Sequence, residues 1–125
     1  MKIVFDTSAW IEYFEGSSKG KTVDKYLKES EVITPSIALL ELSYKADKKG
    51  WDIRKHLNFI KLKSTIAGIN ESFVLNFGRI YNQSKKEIRD FSLADAVILT
   101  TSKIHKAKIL TEDSHFSSFD NSIII

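Results

Sequence analysis

The sequence predicts an α/β fold built on a five-stranded, mostly parallel sheet. Three observations carry this. Short apolar runs recur along the chain, stripes of apolar residues at helical spacing lie between them, and polar capping residues follow several of the runs. Strands separated by helices pair in parallel through crossovers, which leaves a sheet covered on both faces. The crossovers should be right-handed.

Lys2-Ile3-Val4-Phe5 is the first β-type run, ending at Asp6. Thr7 to Ile11 then reads as a turn into a helix, with Asp6 or a neighbouring hydroxyl placed to cap it. Val32-Ile33 is a second run. It meets Thr34-Pro35, which reads as an N-cap followed by proline in the first turn of a helix through Ile37, Leu40 and Tyr44. Trp51 to Lys63 forms a further helix, with Ile53, Leu57 and Ile60 on one stripe. Ile66 to Ile69 is the third strand, and Asn70 can cap the helix after it. There Phe73, Phe77, Ile80 and Tyr81 share a face that reads as core. Ser92 to His105 is another helix, Lys108 to Thr111 the fourth strand, and Ser122 to Ile125 the fifth. With no internal repeat or boundary, residues 1–125 read as a single domain.

Composition narrows the class. A chain of 125 residues with 42% hydrophobic content can bury about two thirds of its extended surface without a staple. The absence of cysteine excludes a disulfide framework, a cysteine-ligated metal and thiol catalysis. Asp6 comes too early for a signal-peptide apolar region, and no stretch approaches 18 uncharged apolar residues. A cytoplasmic protein with no membrane partner is expected.

The formal charge is +3, but it is unevenly spread. Between Lys45 and Lys63, seven cations face only Asp47 and Asp52, a local excess of +5. Such a surface attracts polyanions; a solvated helix face is the simpler account of it. Lys45, Lys48, Lys49 and Lys55 are the candidate polyanion contacts in this stretch.

Four carboxylates stand out by position. Asp6 follows the first strand and Asp113 follows the fourth, so both sit at the rim where ligands gather in parallel sheets. Glu41 and Asp95 each interrupt an apolar stretch of a helix, where an unpartnered charge would be costly. Each has a local explanation. Asp6 can cap a helix, Glu41 can pair with Lys45 one turn on, Ser92-x-x-Asp95 is a capping-box pattern, and Asp113 can cap the Ser114-His115-Phe116 turn. Taken together they suggest more. Two carboxylates about 5 Å apart repel by about 3 kcal/mol at an effective dielectric near 20, so four of them at one rim must hold protons or bind cations. Oxygen ligands suit Mg²⁺ or Mn²⁺.

Setting those four acids aside leaves 19 positive side chains against 12 negative, a remainder of +7. A cation-loading pocket in a basic shell suits a phosphate-backbone substrate and metal-assisted phosphodiester hydrolysis. Thr7 and Thr111 stand beside the acids and could orient them, or could serve only as caps. Ser8 reads as a cap. His115 lies near the same rim and could touch substrate, although a structural role is the simpler reading. The five glycines form neither a GxGxxG motif nor a phosphate-binding loop.

Four segments together resemble the PIN-domain family, specifically its small toxin ribonucleases of VapBC toxin–antitoxin systems. They are Ile3 to Ile11, Pro35 to Leu42, Ser92 to Ala96 and Leu110 to Phe116. The resemblance implies a three-layer α/β/α sandwich and an endoribonuclease using Mg²⁺ or Mn²⁺. It matches Asp6, Glu41, Asp95 and Asp113 to the family's acidic quartet, and Thr7 and Thr111 to its hydroxyl positions. It also implies a homodimer and a cognate antitoxin. Glu112, beside Asp113, competes for the fourth acidic place, and strand spacing favours Asp113. The rival reading is a non-catalytic RNA- or protein-binding domain on the same scaffold. A phosphorylated receiver is disfavoured, because Asn70 stands where an acid would be needed.

Overall fold

The computed structural model describes residues 1–125. Its strands are β1 (Lys2–Phe5), β2 (Glu31–Pro35), β3 (Thr65–Ala67), β4 (Lys108–Thr111) and β5 (Ser122–Ile124). Its helices are α1 (Thr7–Glu15), α2 (Ser18–Glu29), α3 (Ser36–Lys49), α4 (Ile53–Lys63), α5 (Glu71–Glu87) and α6 (Leu93–His105), with a 3₁₀ turn at Ser114–Phe116. The strands form one sheet in the order β3-β2-β1-β4-β5. Every pairing is parallel, so the sheet is parallel throughout.

Strand alternation builds two cores. Ile3 and Phe5 face one side of β1, where they join Trp10, Val23, Leu42 and Ile60 from α1 to α4. Val4 faces the other, with Ile80 of α5 and Ala96, Ile98 and Leu99 of α6. The result is a three-layer α/β/α arrangement, with one apolar core on each face of the sheet. Trp10 is 1% exposed, and its Nε1 donates to Thr34 Oγ1 at 3.1 Å. That bond satisfies the polar edge of a ring otherwise packed against Phe5 and Phe14.

Three expectations change. Thr34 does not cap α3. It lies within β2 with its hydroxyl between Trp10 and Ser64, while Pro35 ends the strand and stands at the cap position without a side-chain bond. The third strand begins at Thr65 and ends at Ala67, one residue earlier than the apolar run suggested and shorter. The helix α2 has no counterpart in the periodicity analysis. Its composition is lysine-rich, and among its apolar side chains only Val23 is fully buried.

α2 is instead fixed by a close approach. A Cβ at Gly20 would lie 2.1 Å from the carbonyl oxygen of Glu12 in α1. The two helices meet backbone to backbone at this point, and no larger residue fits without moving one of them. Gly20→Ala is therefore expected to lower unfolding free energy by about 2 kcal/mol or more, read from urea denaturation. Thr100 gives the opposite case. Its hydroxyl is fully buried on α6 without a hydrogen-bond partner, so Thr100→Val should raise stability by about 1 kcal/mol in the same measurement.

Candidate active site

Parallel register brings the first two groups together. Phe5 pairs with Leu110, so the residues that follow, Asp6 and Thr111, stand side by side at the carboxyl rim. Thr111 Oγ1 donates to Asp6 Oδ2 in a short hydrogen bond. The other carboxylate oxygen, Oδ1, accepts from Ser8 Oγ at 2.6 Å and from the Ala9 amide at 3.0 Å. Asp6 thus caps α1 and also ends the central strand.

The other three acids are each held by one oxygen. Glu41, in the second turn of α3, accepts at Oε1 from Thr7 Oγ1 at 2.7 Å. Asp95 closes a capping box with Ser92, its Oδ2 accepting from the Ser92 amide at 3.0 Å. Asp113 caps the 3₁₀ turn, its Oδ1 accepting from the His115 amide at 2.8 Å. No protein donor reaches Glu41 Oε2, Asp95 Oδ1 or Asp113 Oδ2.

Asp6, Thr7, Ser8, Glu41, Lys45, Asp95 and Asp113 line one cavity of about 130 Å³, with Ala94 and Ile98 completing its wall. All four acids named from sequence therefore meet, and both threonines sit against them. Glu112 turns away: its carboxylate pairs with Lys19 at 2.7 Å, which holds it below the usual carboxylate range. Its amide instead donates to Ser8 Oγ at 2.9 Å; Ser8 is therefore not the cap expected, since Asp6 caps α1, and its hydroxyl links Asp6 to the loop after β4.

Among the four candidate lysines, only Lys45 reaches the cavity. It forms no ion pair with Glu41, whose anchored oxygen is taken by Thr7. Lys48 lies over the Tyr44 ring at 5.3 Å, and Lys49 pairs with Glu15 at the far end of α1. Lys55 lines a separate, apolar cavity with Tyr13, Phe14, His56, Phe59 and Leu62. His115 was the residue that the sequence undervalued. Its Nδ1 lies 3.0 Å from Asp95 Oδ2 and 3.6 Å from Asp113 Oδ1, and the first of these contacts joins it to a different element, α6.

Electrostatics follow from this crowding. Burial pushes the Asp6 carboxyl above its ordinary range. Hydrogen bonds from Ser8, Thr111 and the Ala9 amide pull it partly back, while the charge of Asp113 adds to the rise. The His115 imidazole is raised by its hydrogen bond to Asp95 and by the charges of Asp113, Asp95 and Asp90. Ligand atoms of Asp95, Asp113 and His115 lie within 4.8 Å of one another, close enough to share a metal ion. The donor set fits a hard divalent cation: oxygen-rich, anionic, and including a buried carboxylate short of positive charge.

The sequence profile of the PIN domain matches residues 3–122. The chain belongs to the PIN domain family. No curated protein matches the sequence. Among solved structures, this PIN domain is similar to VapBC2 from Rickettsia felis bound to a DNA fragment from their promoter, with TM-score 0.76, 16% identity, and 100% of this chain and 98% of that chain covered. It is also similar to a toxin-antitoxin complex from Klebsiella pneumoniae, with TM-score 0.74, 19% identity, and coverage of 97% and 95%. A third is VapC20 of Mycobacterium tuberculosis, a sarcin-ricin loop cleaving toxin, with TM-score 0.70, 15% identity, and coverage of 94% and 95%. At these identities the likeness is one of fold. No helix of this PIN domain is long and apolar enough to cross a membrane.

The state of Asp6 yields a sign that can be checked. A carboxyl whose pKa is raised on folding contributes stability that is fully present below its unfolded pKa. That contribution is lost as pH rises through the folded value. In chelator-treated protein, Asp6→Asn should remove this loss, making the variant at least as stable as wild type at pH 7. Thermal unfolding of both proteins from pH 5 to pH 7.5 measures it, and the gap should widen toward neutral pH.

Proposed function

We propose that this PIN domain is an endoribonuclease dependent on Mg²⁺ or Mn²⁺, acting in the cytoplasm as the toxin of a type II toxin–antitoxin pair. The observation that carries this is the meeting of Asp6, Glu41, Asp95 and Asp113 in one small cavity, with an oxygen of three of them left without a protein donor. A domain that merely binds has no use for a buried carboxylate beside other acids, and would be more stable without it.

In this reading Asp6, Asp95 and Asp113, with Glu41, hold the ion. The chemistry such an ion supplies is Lewis acidity, which acidifies water for attack on phosphorus and offsets charge on the departing oxygen. The protein's own part is orientation. Thr111 and Ser8 fix both oxygens of Asp6. Thr7 fixes Glu41 through Oε1, leaving Oε2 as the oxygen that would face the ion. Lys45 is the one cation at the cavity wall and is placed to meet a phosphate of the substrate. Lys48, Lys49 and Lys55 act at longer range, as a field that draws in a polyanion.

RNA as substrate is supported by the basic remainder of the surface and by the fold shared with VapC20, described as cleaving the sarcin-ricin loop. An antitoxin partner is supported by the toxin-antitoxin complexes of the same fold. A homodimer is supported by exposed apolar side chains on α5, α6 and the loop before α5. Ile69, Val74 and Leu93 are each more than half exposed and line one apolar depression with Phe73, Phe77 and Val97, the kind of patch that marks an interaction surface.

Cleavage of RNA should require Mg²⁺ or Mn²⁺ and stop with chelator. Asp6→Asn and Asp95→Asn should each lose at least about 100-fold in rate, equivalent to about 2.7 kcal/mol, while circular dichroism shows a folded protein. Wild-type rates in either variant would dismiss this ligand set. Lys45→Ala should reduce the slope of log affinity against log salt by about 1, measured on RNA with the cleavage-dead Asp6→Asn background. An unchanged slope would remove Lys45 from the RNA interface.

A further inference from the structure

We propose that His115 is a positioning residue that aligns Asp95 with Asp113, so that one oxygen of each faces the cavity. The inference rests on the ion-binding reading above and adds to it a residue outside the four acids.

His115 holds both acids from a single position. Its main-chain amide donates to Asp113 Oδ1 at 2.8 Å. Its ring Nδ1 meets Asp95 Oδ2 at 3.0 Å. That same Oδ2 also accepts from the Ser92 amide. Two donors therefore converge on one oxygen of Asp95, and the carboxylate cannot rotate without breaking both bonds. Its Oδ1 is left to the cavity. Since a carboxylate only accepts, Nδ1 must carry hydrogen, which also sets the tautomer of the ring.

The ring contact is not needed to make the turn. The turn is already closed by Asp113 accepting from the His115 amide, and it is anchored by Phe116, which is 1% exposed. The bond from Nδ1 instead crosses 20 residues of sequence to α6. It ties the β4 side of the site to the α6 side, a link that neither capping motif provides. Phe91, 3% exposed and with its ring centroid 6.5 Å from that of His115, backs the imidazole. Outer partners that orient ligating carboxylates in this way typically contribute 10- to 100-fold to metal affinity or activity.

The test compares His115→Asn, His115→Gln and His115→Leu with wild type and Asp95→Asn, all confirmed folded by circular dichroism. An asparagine amide nitrogen falls near the place of Nδ1, whereas that of glutamine falls near Nε2. Mn²⁺ affinity is read by electron paramagnetic resonance, and RNA cleavage gives kcat and KM separately. Gln and Leu should weaken Mn²⁺ binding about 10- to 100-fold and lower kcat with little change in KM. Asn should recover most of both. Wild-type Mn²⁺ affinity in the Gln or Leu variant, or an Asn variant as weak as Leu, overturns the role of His115. Should His115→Leu not fold, the Asn and Gln pair decides the question. If Asp95→Asn also binds Mn²⁺ like wild type, the failure lies in the ion-binding reading itself.

Discussion

A carboxylate closed in at the end of the central strand demands either a proton or a cation, and much of the local structure answers that demand. Asp6 is 7% exposed. The hydroxyls of Thr111 and Ser8 and the amide of Ala9 satisfy its oxygens, but none of them carries a positive charge. Hydrogen bonds to dipoles reduce the cost of such burial without abolishing it. Parallel register then places Thr111 and the turn holding Asp113 beside it. α3 and α6 bring in two further acids from separate segments. The site is thus a store of unfavourable electrostatics, kept in place by the two apolar cores beneath it.

Capping does not exhaust the acceptors of these side chains. Asp6, Asp95 and Asp113 each cap the element that follows or contains them. For Asp95 and Asp113 the capping bond uses one oxygen, in a direction fixed by the backbone, and leaves the second to point elsewhere. Helix starts therefore give this chain a rigid way to aim carboxylates. Glu41 is the exception. It lies inside α3, has no terminus to cap, and relies on the Thr7 hydroxyl from α1 for its orientation.

Much of this was legible in the sequence. The central strands were visible because β1, β2 and β4 are buried on both faces and read as unbroken apolar runs. The caps at Asp6, Asn70 and Ser92 were visible because capping is local chemistry. The α2 helix was not, since its place depends on Gly20 fitting against Glu12, a contact with no periodic signature. Thr34-Pro35 misled because the motif that starts a helix here also ends a strand, and the buried Trp10 edge claimed the threonine. His115 was hidden for a related reason: its partner Asp95 lies on another element. The lysine run showed the opposite limit. Charge counting registers every cation alike, and only the fold separates Lys45 from those engaged with Tyr44, Glu15 and Trp51.

The bond between Thr111 and Asp6 joins residues 105 apart, and β1 cannot acquire its β4 neighbour until both have been synthesised. During translation, Asp6 leaves the ribosome early while Asp113 is still to be made. A nascent chain can therefore form α1 to α4 against β1 and β2 without assembling the acidic cluster. Folding that depends on such distant pairing is slow to complete. The topology thus delays assembly of the acidic rim until β4 and the turn that follows it have been made.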